Sequence, residues 1–313
     1  MSSPLCLGLD TSNYTTSVAV FDGTAGENAG RLLDVPAGTL GLRQSDALFQ
    51  HVKRLPRLFD DLREKGLLGH IEAVGASTRP RAVEGSYMPC FLAGEGQGRA
   101  LSACLNVPFL PVSHQQGHLA AAAWSAGQPE LLDKPMLAWH LSGGTTELLL
   151  VEPEGVNVKA TCIGGTSDIS AGQLIDRTGV LLGLPFPAGK ALDELASRSS
   201  SQDSFSVKLN NLTFSLSGME NKIKALAERG ANPEDIARFA LNTVTAAVRR
   251  ATDAALKEHP GLNVLCSGGV ASNTRLREEM EDCVFAPARY STDNAMGVAI
   301  LAWRELHRRG ERP

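Results

Sequence analysis

Aromatic residues are scarce in this chain: Phe, Trp and Tyr together make up 5% of its 313 residues, with three Trp and three Tyr. With 31 glycines beside them, the composition fits a ligand-binding α/β enzyme better than a β-sandwich or a repeat protein. Paired cysteines are missing as well. The six cysteines stand at 6, 90, 104, 162, 266 and 283 with no CxxC spacing, and Cys6 and Cys266 fall in apolar runs. Reduced core thiols of a cytosolic protein are the expectation, since a chain of this length needs no disulfides to hold a core. No apolar run approaches the ~18 residues that span a bilayer. The first residues lack a basic stretch and turn polar at Asp10, which predicts no signal peptide and a cytoplasmic setting without membrane contact. Nor is there an excess of positive charge: 30 basic against 34 acidic residues leave a net −4 and a pI near 6.0. That excludes a wholesale nucleic-acid coat protein but not a local basic groove. Two nucleotide signatures are absent. There is no GxxxxGK[ST] P-loop, and Gly94-Glu95-Gly96-Gln97-Gly98-Arg99 lacks the GxGxxG spacing of a Rossmann turn.

What is present is a pattern that occurs twice. Leu5, Leu7 and Leu9 alternate into a hydroxyl-rich turn, 10–15, and a second strand, 17–21. The same strand, small-residue turn and strand recur at 136–141, 142–146 and 147–151. Two such hairpins half a chain apart predict a duplicated α/β protein with an N-terminal lobe over 1–113 and a C-terminal lobe over 114–313. Leu48, Val52, Leu55, Phe59 and Leu62 repeat at helical spacing near 46–64, with Pro56 predicting a kink or boundary. Asn232-Pro233-Glu234-Asp235 starts a helix expected to reach about 258, with Ile236, Phe239, Val244, Val248 and Ala255 inward. A strand at 263–266 and a final helix over about 294–309 follow. That last helix is a candidate to pack back on the first lobe.

Gly-Gly turns after strands let a phosphate approach backbone N–H groups, and neighbouring hydroxyls add donors. Ser142-Gly143-Gly144-Thr145-Thr146 and Ser267-Gly268-Gly269 both meet that need. Either alone is an ordinary turn; together with Asp10-Thr11-Ser12 they point to a nucleotide cleft. The sharpest local feature is His114-Gln115-Gln116-Gly117-His118. On a helix, i and i+4 share a face, so both imidazoles can reach one metal ion. The competing reading is two part-exposed histidines at a helix start. A zinc peptidase of the HExxH type is disfavoured because Gln115, where the general base would stand, cannot accept a proton. A carboxylate from a distant segment would complete a two-His, one-carboxylate set suited to Fe(II) or Zn(II).

These residues, taken in order, resemble the TsaD family of tRNA threonylcarbamoyl transferases, once described as sialoglycoprotein endopeptidases. His114 to His118 is similar to the family's HxxGH, and Ser142 to Thr146 to its SGGHT turn. Ala171-Gly172-Gln173-Leu174-Ile175-Asp176 resembles AGEAFD, and Leu182 to Gly189 with Asp193 resembles LGLPYPGG and the aspartate after it. Phe214 to Gly218, Gly268 to Asn273 and Ser291 to Asn294 resemble FSFSG, GGVAAN and CTDN. The resemblance covers nearly the whole chain. It implies an actin-like, sugar-kinase-like (ASKHA) fold and Asp293 as third metal ligand beside His114 and His118. It implies an adenylate held at ribose and base by Asp176, Gly189, Asp193 and Asn273, near Gly268 and Gly269. The turn Leu141, Ser142, Gly143, Gly144 and Thr145 would face its phosphate and acyl group, and Asp10, Ser12 and Thr145 are candidate catalytic residues. The implied reaction passes a threonylcarbamoyl group from threonylcarbamoyl-AMP to N6 of an adenine beside the tRNA anticodon, with one Fe or Zn per chain. A TsaB-like paralogue and a TsaE-like ATPase are implied partners.

Three positions depart from the family. The acidic pair of ETSCDET is replaced, with Asn13, Tyr14 and Thr15 at the CDE positions. The SGGHT histidine is Thr145, and the Gly-Pro-Gly turn reads Arg79-Pro80-Arg81. Those two arginines suit a phosphate or a tRNA backbone as well as a solvated loop. The departures leave a second reading open, a divergent nucleotide-binding scaffold or regulator, or an enzyme using another carbamoyl-adenylate. A metallopeptidase and an ATP-dependent ASKHA kinase are weaker readings.

Overall fold

The structure, a computed structural model, describes residues 4–12, 14–35 and 42–310, the last two by backbone alone. In chain order the elements are β1 (Leu5–Ser12), β2 (Thr15–Phe21), β3 (Gly26–Leu32), α1 (Gln44–Glu64), β4 (Ile71–Arg79), α2 (Phe91–Leu105), β5 (Phe109–Ser113) and α3 (His114–Ser125). There follow β6 (Met136–Leu141), β7 (Thr146–Glu154), β8 (Asn157–Thr166), α4 (Ala171–Leu181), α5 (Gly189–Ala196), β9 (Leu209–Asn210), β10 (Thr213–Phe214) and α6 (Ser217–Glu228). The chain ends with α7 (Pro233–Glu258), β11 (Asn263–Ser267), α8 (Thr274–Glu279), β12 (Val284–Phe285) and α9 (Met296–Gly310).

Two compact units divide these elements. The first holds residues 1–134, 152–160 and 293–313, the second 135–151 and 161–292. The boundary does not fall at 113/114: α3 belongs to the first unit, because it packs against α9 and continues directly from β5.

In the first unit five strands lie in the order β3-β2-β1-β4-β5. β1 pairs antiparallel with β2 and parallel with β4, and β5 joins parallel to β4. Alternation along β1 sends Leu7 and Leu9 to one face, where Val18, Val20 and the α1 residues Leu55, Leu58 and Leu62 close a core. Gly8, Asp10 and Ser12 therefore point to the other face, on which α9 packs. α1 differs from expectation in two ways. Its inward stripe is Ala47, His51, Leu55, Leu58 and Leu62, while Val52 is 55% exposed. The helix also runs unbroken through Pro56, whose exposed position lets the orphaned carbonyl one turn back turn to water.

The second unit is built on a seven-stranded sheet, β12-β11-β6-β7-β8-β10-β9. It repeats the plan of the first, with an antiparallel hairpin, β6 and β7, and a parallel strand, β11, beside β6. Trp139 is wholly buried, its indole N–H donating to Thr252 Oγ1 at 2.8 Å. Asn232 caps α7, accepting from the Glu234 N–H at 3.1 Å. Ile236, Val244, Val248 and Ala255 point inward and Phe239 is half-buried. Cys6 and Cys266 are buried free thiols. Among the described residues, no helix is long and apolar enough to cross a membrane.

Candidate functional site

Local capping fixes the start of α3. The Ser113 hydroxyl accepts from the Gln116 N–H at 3.2 Å, and the Gln116 side-chain oxygen accepts from the Ser113 N–H at 2.9 Å, a reciprocal capping box. Gln116 then donates through Nε2 to the Val158 carbonyl at 2.8 Å. Within this anchored first turn, His114 and His118 stand on one face, as their i,i+4 spacing requires. Asp293 enters from the start of α9, where the Asn294 side chain accepts from the Met296 N–H at 3.0 Å. The two helices cross closely because Gly117 meets Gly297: a Cβ at 297 would collide with the Gly117 carbonyl oxygen. The glycine that permits this approach, and with it the meeting of the carboxylate and the histidines, is Gly297; at Gly117, the glycine of the HxxGH pattern, a Cβ would come no closer than 3.3 Å, to the Val298 side chain.

The three donors converge. His118 Nε2 lies 2.9 Å from His114 Nε2 and 3.2 Å from Asp293 Oδ1, and His114 Nε2 lies 3.4 Å from the same oxygen. Donors about 2.1 Å from one ion are separated by about 3.0–3.4 Å at angles between right and tetrahedral. The triangle has the dimensions of one face of a metal coordination shell, and two imidazoles with one carboxylate suit Fe(II) or Zn(II). The residues present therefore fit a divalent metal. Behind them stands Asp10, 1% exposed, with Oδ2 2.7 Å from His114 Nδ1 and Oδ1 accepting from the Ser12 N–H at 2.9 Å. A carboxylate on the far nitrogen fixes the ring and directs the Nε2 lone pair to the ligand position. The Phe91 ring packs 6.2 Å from the His114 ring.

Electrostatics follow from this geometry. Burial works against charge on His114, but Asp10 and Asp293 outweigh it and raise the pKa of the metal-free imidazole to about 10. Burial likewise works against the Asp293 carboxylate, and hydrogen bonds with charge from His114 and His118 hold it well below the usual range. Asp10 is opposed by burial and lowered by His114. Asp10 thus faces the back of a ligand rather than open solvent. Ser12 Oγ is buried without a partner among the described residues. Asn13 lies outside the described residues, Tyr14 is exposed, and Thr15 opens β2.

The second unit carries a cavity of about 460 Å³. Gly143, Asp176, Gly189, Asp193, Gly269 and Asn273 line it, so six of the expected nucleotide residues meet in one place. Asp176 Oδ1 accepts from the Ala188 N–H at 2.8 Å. Asp193 braces α8, accepting from Asn273 Nδ2 at 2.8 Å and from the Thr274 N–H and hydroxyl at 3.0 and 2.8 Å. Leu141, Ser142, Gly144, Thr145 and Gly268 are not on the wall. Ser142 and Thr145 close their own turn, with Ser142 N–H donating to the Thr145 carbonyl at 2.8 Å and Thr145 N–H to Ser142 Oγ at 3.1 Å. Gly268, at φ +98°, lies against the backbone of Leu141, where a side chain has neither the conformation nor the room. Sequence reasoning missed the apolar wall, Ile175, Pro187 and Val270, and the polar Lys190 and Ser272. Ser272 and Val270 sit inside the Gly268 to Asn273 run already singled out.

The family model described as TsaD, tRNA N6-adenosine threonylcarbamoyltransferase, matches residues 40–300. The chain belongs to the TsaD family. A tRNA N6-adenosine threonylcarbamoyltransferase of Thermus thermophilus is 32% identical over 98% of this chain and 94% of its own length. Among solved structures, full-length HypF in a phosphate- and nucleotide-bound form superposes with a TM-score of 0.63 at 13% identity, covering 99% of this chain and 56% of that one. The ROK hexokinase of T. thermophilus gives 0.50 at 16% identity, covering 97% and 99%. At these identities the structures speak to fold alone, and the fold is the expected ASKHA one. As a TsaD-family member the chain is a transferase.

Proposed function

We propose that this chain transfers a threonylcarbamoyl group from threonylcarbamoyl-AMP to N6 of an adenine beside the tRNA anticodon, in the cytoplasm, using one Fe or Zn held by His114, His118 and Asp293. The observation that carries the reading is the convergence of those three donors, with Asp10 behind them, in a member of this family. A bound divalent ion would supply positive charge for the phosphate and carbonyl oxygens as the anhydride is attacked.

The remaining work belongs to the protein. Asp10 holds His114 in the tautomer whose Nε2 is free to ligate. Asp176 and Lys190 offer the polar groups for a ribose and a phosphate, and Ile175, Pro187 and Val270 an apolar wall for an adenine, in the cavity of the second unit. The exposed Gly143 and Gly269 leave backbone open for close approach of an anion. In the transfer, the N6–carbonyl bond forms, the carbonyl–phosphate oxygen bond breaks, AMP leaves, and one N6 proton passes to solvent. Holding both reactants while excluding water prevents hydrolysis of the anhydride. A TsaB-like paralogue and a TsaE-like ATPase are proposed partners, consistent with an acidic chain that acts on RNA.

The test is a transfer assay on metal-loaded wild type and His114→Ala, with threonylcarbamoyl-AMP and tRNA reading A-starting codons, with and without the partner proteins. Modified adenine from the wild type and none from the variant is the expected result. A wild type that makes no product with partners present would refute the assignment.

A further inference from the structure

We infer that Arg79 is a phosphate-binding residue for the acceptor RNA, seated beside the first turn of the metal-binding helix; the inference rests on the proposed transfer to tRNA. Arg79 ends β4 and pairs in register with Ser113, the N-cap of α3, one residue before His114. The turn it opens is tied to that helix: the Pro80 carbonyl accepts from the Gln115 N–H at 3.0 Å, between the two metal-binding histidines. The Arg79 side chain therefore starts from a backbone anchored beside the helix that carries the two histidines.

Its charge has no local use. Arg79 is exposed, and among the described residues its side chain makes no hydrogen bond or ion pair. The loop is tied within itself, the Arg81 backbone N–H donating to Ser86 Oγ at 3.0 Å. Glu84 is the one carboxylate of the loop and is exposed. The same loop presents Tyr87, 62% exposed, and Val83, 54% exposed. An unpaired guanidinium and an open aromatic ring presented by one loop form a combination that grips single-stranded RNA, the guanidinium taking a backbone phosphate in a bidentate pair and the ring stacking an unpaired base. RNA is favoured over the donor because the nucleotide cavity has its own cation, Lys190.

The experiment titrates an anticodon stem-loop with an adenine beside the anticodon against the metal-loaded chain, as wild type, Arg79→Ala and Arg79→Lys, across a salt series. Donor KM and bound metal are measured on the same proteins. Losing one phosphate contact should weaken Arg79→Ala about fivefold at 0.1 M salt and lower the slope of log K against log salt by about 0.7. Arg79→Lys should keep the slope, and donor KM and metal content should not move. Equal affinity and slope in Arg79→Ala, from a wild type that binds and transfers, would overturn the inference alone. A raised donor KM with an unchanged RNA slope would also overturn it, placing Arg79 on the donor. A wild type that neither binds the stem-loop nor transfers would overturn the proposed function and this inference with it.

Discussion

Replacing Asp10 by Asn is the sharpest probe of how the metal cluster is held. Asp10 accepts on both sides, from the Ser12 N–H at 2.9 Å and at His114 Nδ1 across 2.7 Å, and is 1% exposed. An asparagine of the same shape can satisfy only one side. With its oxygen toward His114, its NH2 opposes the Ser12 N–H, donor against donor. With the amide reversed, Nδ1 must accept, and the ring hydrogen moves to Nε2, the nitrogen that should ligate. Both arrangements also lose the charge that raises ligand basicity. Changes of this kind behind a metal ligand cost about 10–100-fold in affinity, or about 1.4–2.8 kcal/mol. Competition with a chromophoric chelator at neutral pH measures the difference, with circular dichroism of the metal-free protein as the check on folding. A folded Asp10→Asn variant binding Zn(II) within twofold of wild type would contradict this role for Asp10.

Metal affinity should depend steeply on pH. His114 is protonated in the metal-free protein up to about pH 10, so binding displaces a proton and the affinity should rise about tenfold per pH unit without levelling near 7; a plateau at the ordinary histidine pKa contradicts this. Gly297→Ala should separate α9 from α3, because the new Cβ meets the Gly117 carbonyl. Weaker metal binding and a loss of roughly 1–3 kcal/mol in unfolding free energy are expected, both readable from melts with and without metal. His51 is fully buried, burial brings its pKa down to about 4, and among the described residues only its Nδ1 is bonded, to Thr16 Oγ1 at 2.8 Å. The unfolded chain binds the proton first, near 6.5, so this contribution is fully present above that pH and is lost as pH falls toward 4. It amounts to about 3 kcal/mol, and urea titrations of His51→Gln should show a correspondingly flatter pH dependence.

Much of the site was written in local patterns. The HxxGH spacing needed only helix geometry to place two imidazoles together, and the Gly-rich turns marked Gly143 and Gly269. Asp293 lies 175 residues from His118, so no local rule could join them; the resemblance to a family did so. The role of Asp10 was harder to see. Its partner His114 lies 104 residues away, and a carboxylate after a strand reads as catalytic until the ring it supports is visible. His51 escaped a reading based on hydrophobic spacing, which preferred the neighbouring Val52. A buried imidazole on α1 is legible only once Thr16, on β2, is known to meet it. The turn Ser142 to Thr145 fits a phosphate by composition, yet its hydroxyl and amide groups largely bond one another. The duplicated hairpins read correctly as two α/β units. The boundary between units did not, because the chain crosses between them four times, after residues 134, 151, 160 and 292.

The proposed transfer requires a metal held by His114, His118 and Asp293. Chelator-stripped protein, given threonylcarbamoyl-AMP, tRNA and partner proteins, would be titrated with Zn(II) or Fe(II) while modified adenine is counted. No product is expected from the stripped protein, with recovery that saturates at one metal per chain. Full transfer by the stripped protein, or recovery that His118→Ala shares, would contradict that requirement.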